Sequence, residues 1–398
     1  MRIGILTFHR SINNGAVLQC YSLSKKLQQL FPQDSVEVID YHMPKVDSFY
    51  SVSYRDYFRI NSIIGVLRRG LKLLLDPKTV EWQRQRKQAF ESVRDTLPLS
   101  EKSIYSDTCD QLFEYINQNY DVVVAGSDAI WNFNMRGYPN PYFLSEAVQC
   151  HKLAYAASCY GMNYEKLLEK HKSEIGSILS TYDFLGIRDN ESGQFLGQVG
   201  STVEGVHTCD PTVFLDVDCL PIDVEKLKEK LLARGYRFDQ ESIAVMGTER
   251  MCGMVRSMYG KKYQIVALYN RCRNADVSLH DLTPYEWAYV FRLFKLTFTT
   301  FFHGTLVSLR NGVPVICIAL ETEYAEKHVT KVDDFLQRVK LQDCYFHTDY
   351  KKNVERIKQK ADELLAGNFR ELIIERMERE AQTVEPFIAA LIAIKKHG

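Results

Sequence analysis

The chain has 398 residues, in which 50 lysines and arginines balance 50 aspartates and glutamates. This balance argues against the basic field of a nucleic-acid-binding protein, and the 45% hydrophobic content argues against a disordered chain. The length favours two domains over one.

Apolar runs bounded by turn residues alternate with helical patterns, which is typical of parallel α/β architecture. Strands are predicted at residues 3–7, 36–40, 122–125, 153–157, 184–187, 243–246, 264–268, 296–300 and 315–319. Helices are predicted at residues 17–30, 164–180, 224–234, 285–294, 305–310 and about 353–396. The segment 203–216 has the pattern of a crossing between two similar halves.

The ten cysteines are scattered and form no CxxC pair, which predicts free thiols in a reducing compartment and no zinc site. Residues 1–7 are too short and too quickly polar for a signal peptide. No apolar run approaches the ~20 residues that a membrane span needs. We therefore expect a cytoplasmic protein without a bound metal.

Residues 55–94 interrupt the α/β pattern. They carry ten Lys/Arg and four Asp/Glu, a local net charge of +6, and apolar residues interleave with the charges. The pattern predicts a helical insertion with a basic amphipathic face. This face either packs on its own domain with a solvated outer side or docks on anionic lipid, where each basic residue contributes roughly 1 kcal/mol.

The first group of polar residues lies where the first strand ends and the first helix begins. His9 follows the strand, and Asn13, Asn14 and Gly15 open the helix. Ligands of open α/β sheets bind at the carboxyl ends of strands, where helix N-termini offer free N–H groups. Gly15 would let the backbone approach a ligand closely. In the alternative interpretation, Asn13 or Asn14 only caps the helix.

The second group follows a fully apolar strand, which leads directly into Gly126, Ser127 and Asp128. Asp128 could orient an acceptor hydroxyl or act as its base, and Trp131 could stack on a sugar ring, with Asn132 beside it. In the alternative interpretation, Asp128 caps the next helix and Trp131 fills the core.

The third group is His303 with Gly304 and Thr305, again between a strand and a helix. A histidine at a helix N-terminus suits an anion and can transfer a proton, although a lone histidine can also be structural. The remaining candidates at predicted strand ends are Ser158, Arg188, Arg271 and Arg273. Each arginine could pair with a phosphate or carboxylate, or lie on the surface as an ordinary side chain.

Five segments, at residues 13–19, 126–132, 155–158, 209–212 and 302–305, together resemble the polysaccharide pyruvyl transferase family. The resemblance implies two Rossmann-like domains facing across a cleft, as in GT-B glycosyltransferases. We expect an N-terminal acceptor-side domain at 1–205 with an insertion at about 50–100, a C-terminal donor-side domain at 206–365, and a final helix at 366–398.

The resemblance also implies phosphoenolpyruvate as donor co-substrate and a sugar diol as acceptor, with no other cofactor. The product is a pyruvate ketal on a saccharide, which in this family is often linked to a polyprenyl diphosphate at the membrane. His303 matches the family's histidine for phosphoenolpyruvate, and Asp128 matches its Gly-Ser-Asp aspartate. Some members have an arginine where this chain has Phe301 and Phe302. The donor phosphate then needs a cation elsewhere, for which Arg188, Arg271 and Arg273 are the candidates.

Two other functions fit the same architecture. A nucleotide-sugar glycosyltransferase would bind a sugar nucleotide in place of phosphoenolpyruvate. A non-catalytic scaffold in polysaccharide assembly would leave the cleft without a ligand, and the Phe301–Phe302 pair is the feature that favours it.

Overall fold

The computed structural model describes residues 1–43, 77–106, 108–133, 137–161, 165–319, 329–347 and 350–397. Most of the predicted basic insertion at 55–94 lies outside the described residues, which include its part from residue 77 onward. The described residues contain two six-stranded parallel sheets and one two-stranded sheet.

The first sheet is built from the N-terminal half in the order β2-β1-β5-β6-β7-β8, and β3 pairs with β4 beside it. Its strands are β1 (Arg2–Leu6), β2 (Ser35–Val38), β3 (Tyr41–His42), β4 (Ile104–Tyr105), β5 (Val122–Ala125), β6 (His151–Ala157), β7 (Phe184–Ile187) and β8 (Gly205–His207). The accompanying helices are α1 (Asn14–Leu30), α2 (Pro77–Glu91), α3 (Asp110–Asn119), α4 (Glu165–Leu179) and α5 (Asn190–Val199).

The second sheet has the order β11-β10-β9-β12-β13-β14. Its strands are β9 (Ser242–Met246), β10 (Gln264–Ala267), β11 (Val277–Ser278), β12 (Phe294–Thr299), β13 (Val315–Ile318) and β14 (Tyr345–Phe346). The helices are α6 (Val224–Ala233), α7 (Glu249–Tyr259), α8 (Pro284–Val290), α9 (Phe302–Arg310), α10 (Lys331–Arg338), α11 (Tyr350–Ala366), α12 (Arg370–Ala381) and α13 (Glu385–His397).

Every strand predicted from the sequence is present, because parallel strands covered on both faces consist of continuous apolar residues. The structure adds short strands that lack such a run, including β8, β11 and β14. β8 lies inside the segment that was interpreted as a crossing. The helix predicted at 285–294 ends at Val290, because a 3₁₀ turn follows and Phe294 already belongs to β12.

The end of the chain returns to the first sheet. Phe387 of α13 is fully buried, with its ring 4.6 Å from that of Tyr155 and 5.9 Å from that of Phe184. The last helix therefore links the C-terminal half to the N-terminal core. The predicted domain boundaries at residues 205/206 and 365/366 stay predictions. Among the described residues, no helix is long and apolar enough to cross a membrane.

We expect Phe387→Ala to lower the free energy of unfolding by about 3–5 kcal/mol, because it leaves a cavity between α13 and the first sheet. Ile392→Ala on the same helix is the matched control, since Ile392 is 40% exposed. The free energy of unfolding of Ile392→Ala should fall by less than about 1 kcal/mol. The measurement is denaturant unfolding, and equal losses in the two variants would contradict the packing of α13.

Candidate functional site

A cavity of about 330 Å³ opens between residues that follow strands of both sheets. Three helix N-termini border it, those of α1, α9 and α10. This is the edge at which parallel α/β sheets bind ligands. The side chains that define its chemistry are those of Asn14, Tyr160, Tyr269, Trp287, His303 and Lys331.

His303 stands in the first turn of α9, and its side chain packs against α1 of the other half. Its Nε2 lies 3.6 Å from Oδ2 of Asp210 and has no hydrogen-bond partner among the described residues. A Cβ added to Gly15 would lie 1.9 Å from Nδ1 of His303. The absence of a side chain at Gly15 therefore makes room for the histidine ring, whereas we had expected it to make room for a ligand.

A buried ion-pair network stands behind His303. The Arg188 guanidinium donates to Oδ2 of Asp210 at 2.8 Å and to Oδ1 of Asp128 at 3.1 Å. The Gln19 amide also donates to Asp210, and the Thr212 hydroxyl donates to its other oxygen at 2.7 Å. Arg188 is thus an internal counter-ion, 1% exposed, rather than a free anion ligand. Asp210 was not predicted as a site residue, although it lies in one of the segments that carry the family resemblance.

Asp128 remains ionised in spite of its burial. Burial by itself raises the pKa of this carboxyl, but the charges of Arg188, Lys331 and His303 outweigh it and lower the pKa to about 2. Its Oδ1 accepts from Arg188 and from the Ala129 N–H, and no described residue donates to Oδ2. A carboxylate with such a low pKa is a weak base but a good acceptor. The geometry therefore favours orientation of a hydroxyl over proton abstraction.

Lys331 is a cation of the site that the sequence did not reveal. Burial, and then the charge of Arg188, lowers the pKa of its ammonium group. Its Nζ lies 5.3 Å from the Phe302 ring centroid and 5.6 Å from the Tyr160 ring centroid. It forms no ion pair within the described part of the chain. No motif surrounds it, so only the fold shows that it faces the cavity.

The N-terminus of α9 contributes a further partial positive charge at the cavity. Phe301 is its N-cap residue and provides no side-chain hydrogen bond, so N–H groups of the first turn remain available to a ligand. Gly304 belongs to this first turn, so its N–H is among these groups, whereas the Thr305 N–H donates to the Phe301 carbonyl. A Cβ on Gly304 would lie 2.6 Å from the Thr299 hydroxyl, and the Thr305 hydroxyl donates to the Phe301 carbonyl.

None of the residues of the second predicted group is among those that line the cavity. Trp131 is fully buried and stacks on Phe143 with ring centroids 5.4 Å apart, so the prediction that it stacks on a sugar is wrong. The Asn132 amide donates to the Tyr160 carbonyl at 2.8 Å, and the Ser158 hydroxyl accepts from the Tyr160 N–H at 3.1 Å. Both residues thus position Tyr160, which lines the cavity.

Two residues of this group occupy crowded backbone positions. Gly126 has a φ of +138°, and a Cβ there would lie 1.9 Å from the Tyr155 carbonyl. The position therefore requires glycine for packing. Ser127 is 1% exposed, and no residue in the described part of the chain bonds to its hydroxyl.

Of the other candidates, His9, Arg271 and Arg273 are not among the residues that line this cavity. His9 is buried and bonded through Nε2 to Asp40 at 2.8 Å, beside a separate cavity of about 180 Å³. Arg271 and Arg273 are exposed in the loop after β10 and do not line the cavity. Asn13 does line it, and its side chain caps α1 by accepting from the Gly15 N–H at 3.0 Å. Among the described residues, no cluster of three or more His, Cys, Asp or Glu could hold a metal ion.

The sequence model of the polysaccharide pyruvyl transferases matches residues 13–322. The chain belongs to this family. The predicted family is thereby confirmed, and with it a transferase that acts on a saccharide acceptor. A search of curated protein sequences gave no match.

Solved structures confirm the predicted α/β fold with two Rossmann-like domains. A UDP-GlcNAc 2-epimerase from Neisseria meningitidis, bound to UDP-GlcNAc, has a TM-score of 0.54 at 9% identity, covering 99% of this chain and 100% of its own. MnaA from S. aureus, in a co-structure with UDP, has a TM-score of 0.52 at 11% identity, covering 98% and 95%. A glycosyltransferase from Rickettsia africae has a TM-score of 0.50 at 12% identity, covering 100% and 96%. At these identities the likeness shows the fold alone.

The low pKa of Asp128 predicts a pH dependence of stability. Its folded-state pKa of about 2 lies below the usual 3.8, so its stabilisation is complete above pH 4 and is lost as the pH falls towards 2. The contribution is about 2 kcal/mol. We expect Asp128→Asn to flatten the free energy of unfolding over this range, measured by denaturant titration at each pH. Asp218→Asn is the control, because the Asp218 side chain is 83% exposed. An unchanged slope in Asp128→Asn would contradict the ion-pair network.

The contact between Gly15 and His303 predicts an energetic coupling across the cavity. Gly15→Ala should destabilise the protein by about 1–3 kcal/mol through the clash, although alanine favours a helix. In the His303→Ala background this loss should disappear, which a double-mutant cycle measures as a coupling energy. Gly197→Ala is the control, since nothing lies within 4 Å of the added Cβ. Strict additivity of Gly15→Ala and His303→Ala would contradict the contact.

Proposed function

We propose that the protein transfers the enolpyruvyl group of phosphoenolpyruvate to two hydroxyls of a saccharide, forming a pyruvate ketal and releasing phosphate. The family supplies the class of transferase and the saccharide acceptor. The observation that carries the donor assignment is the Lys331 ammonium, which forms no ion pair with a described residue, in one cavity with His303 and the uncapped N-terminus of α9. Together these groups suit a small donor with several negative charges.

Lys331 can also replace the cation that some family members have at the positions of Phe301 and Phe302. An arginine is absent from the positions before His303, and both terminal nitrogens of Arg188 are bonded to carboxylates inside the protein. Lys331 can bind a phosphate or carboxylate of the donor as a point charge. We propose no metal and no further cofactor in this reaction.

In the proposed mechanism His303 is the acid. It donates a proton to the methylene carbon of phosphoenolpyruvate, so that C2 becomes an oxocarbenium-like centre. The first sugar hydroxyl adds to C2, and its proton returns to the histidine. The second hydroxyl then adds as the C2–O bond to phosphate breaks, and its proton leaves with the phosphate. Asp128 accepts a hydrogen bond from an attacking hydroxyl and orients it.

The linkage of the acceptor to a polyprenyl diphosphate is a further part of this proposal. So are a cytoplasmic location and a peripheral contact with the inner membrane face through residues 55–94. They draw support from the basic charge of that segment in the sequence.

The donor is tested by thermal unfolding with phosphoenolpyruvate and, in parallel, with a panel of sugar nucleotides. A ligand at a hundred times its Kd adds about 2.7 kcal/mol of stability. We expect phosphoenolpyruvate to raise the Tm of the wild type, and His303→Ala and Lys331→Met to abolish the rise. Lys261→Met, at an exposed lysine, is the control that should retain it. A rise with sugar nucleotides only would identify a glycosyltransferase, and no rise with either would favour the scaffold.

A further inference from the structure

The Lys331 ammonium lies near two aromatic rings that come from different halves of the chain. Its Nζ is 5.6 Å from the ring centroid of Tyr160, in the turn after β6, and 5.3 Å from that of Phe302 in α9. Both distances lie within the ~6 Å range of a cation–π contact. An aromatic face attracts a cation without neutralising its charge. The two rings therefore restrain the ammonium in a way that leaves it cationic towards a ligand.

Tyr160 also contacts the main chain at the start of α10. Burial is the main cause that raises the pKa of Tyr160 to about 12, and the Lys331 backbone N–H, which donates to the hydroxyl oxygen, acts in the opposite direction. The turn that carries Tyr160 is itself fixed by Asn132 and Ser158, which bond to its backbone. Through its ring and its hydroxyl, one first-half residue thus contacts both the side chain and the backbone of Lys331.

A second contact joins α10 to the first half one turn beyond Lys331. The Asn190 amide donates to Oδ1 of Asp334 at 2.7 Å, and Asp334 is buried. Asn190 opens α5, two positions after Arg188. Asp334 follows Lys331 by three residues, so the two lie on one face of α10. The contacts at Lys331 and Asp334 together fix how this face meets the first half.

We propose that Tyr160 and Asn190 are positioning residues, which hold Lys331 of the second half in the place from which its ammonium binds the donor. The inference rests on the proposed function and deepens it, because the donor site is then built by both halves. A lysine side chain has many rotamers, and apparent affinity falls with the fraction of molecules that populate the binding one. Neither residue has to touch phosphoenolpyruvate for this effect.

The first test measures the Kd of phosphoenolpyruvate by calorimetric titration of the full-length protein, at a temperature at which every variant is folded. Tyr160→Leu removes the ring and the hydroxyl, and we expect it to weaken binding about tenfold. Tyr160→Phe keeps the ring and should stay within about threefold of the wild type. Tyr115→Leu is the matched control and should leave the Kd unchanged. Tyr115 is another first-half tyrosine, with Lys102 Nζ 5.8 Å from its ring centroid, and it does not line the cavity.

The Asn190 variants test the second contact, and they keep the test open if Tyr160→Leu does not fold, because Asn190 is exposed. Asn190→Ala removes the bond to Asp334 and should weaken phosphoenolpyruvate binding about threefold. Asn190→Asp should weaken it further, since a second carboxylate would then face Asp334. An unchanged Kd in both variants would overturn the assignment of Asn190.

A measurement without donor separates positioning from direct contact. In protein labelled with ¹³C at the lysine ε-carbons, the NMR signal of Lys331 is the one that Lys331→Met removes. Ring currents of Tyr160 and Phe302 should displace this signal from those of exposed lysines. We expect Tyr160→Leu to move it towards them and Tyr160→Phe and Tyr115→Leu to preserve it. Weaker donor binding by Tyr160→Leu with an unmoved Lys331 signal would place Tyr160 against the donor itself and overturn the positioning role.

The two measurements also distinguish failure of this inference from failure of the proposed function. If phosphoenolpyruvate does not bind the wild type, the proposed function fails, while the NMR comparison still decides whether Tyr160 and Asn190 hold Lys331. If phosphoenolpyruvate binds the wild type and Tyr160→Leu equally well, the positioning role of Tyr160 is overturned and the proposed donor stands.

Discussion

The buried Asp210 carboxylate is the interaction on which the rest of the site depends. It lies in the segment between the two sheets and joins parts that are far apart in sequence: Gln19 of α1, Arg188 after β7, and His303 of α9, whose Nε2 lies at 3.6 Å. Burial by itself raises the pKa of Asp210, but hydrogen bonding and the charges of His303 and Arg188 hold it below the usual range. Because one partner of a buried ion pair is costly to leave alone, these groups fix one another's positions.

The network also separates a cation that is paired inside the protein, Arg188, from one that lies at the cavity, Lys331. Arg188 is shared by Asp128 and Asp210, so its charge is neutralised inside the protein. Lys331 forms no ion pair among the described residues and lies with the N-terminus of α9 at the cavity, although the charges of Asp128 and Asp210 act on it from a distance. The internal pairing of Arg188 therefore leaves Lys331 and this N-terminus as the positive groups that line the cavity. Asp128 is bonded to Arg188, is not among the residues that line the cavity, and forms no direct bond with Lys331.

The comparisons with solved structures indicate that the fold does not determine the chemistry. The structures that share the architecture include a 2-epimerase and a glycosyltransferase, so two Rossmann-like domains do not specify a reaction. What distinguishes this chain is the set of groups at the strand ends. The uncapped α9 and Lys331 each contribute a donor or a positive charge. Our proposal of an anionic donor rests on these groups and not on the fold.

The sequence by itself determined the strands, the parallel architecture, the family and the prominence of His303 and Asp128. These follow from local patterns, since a strand buried on both faces is apolar throughout and the residues after it lie at the ligand-binding edge. Tertiary structure alone decided which residues meet. Trp131 follows the same strand as Asp128 but turns into the core, and Gly15 makes room for a histidine 288 positions later in the numbering. Lys331 lies in no motif. Its place at the cavity depends on how the two halves of the chain meet, which no local pattern records.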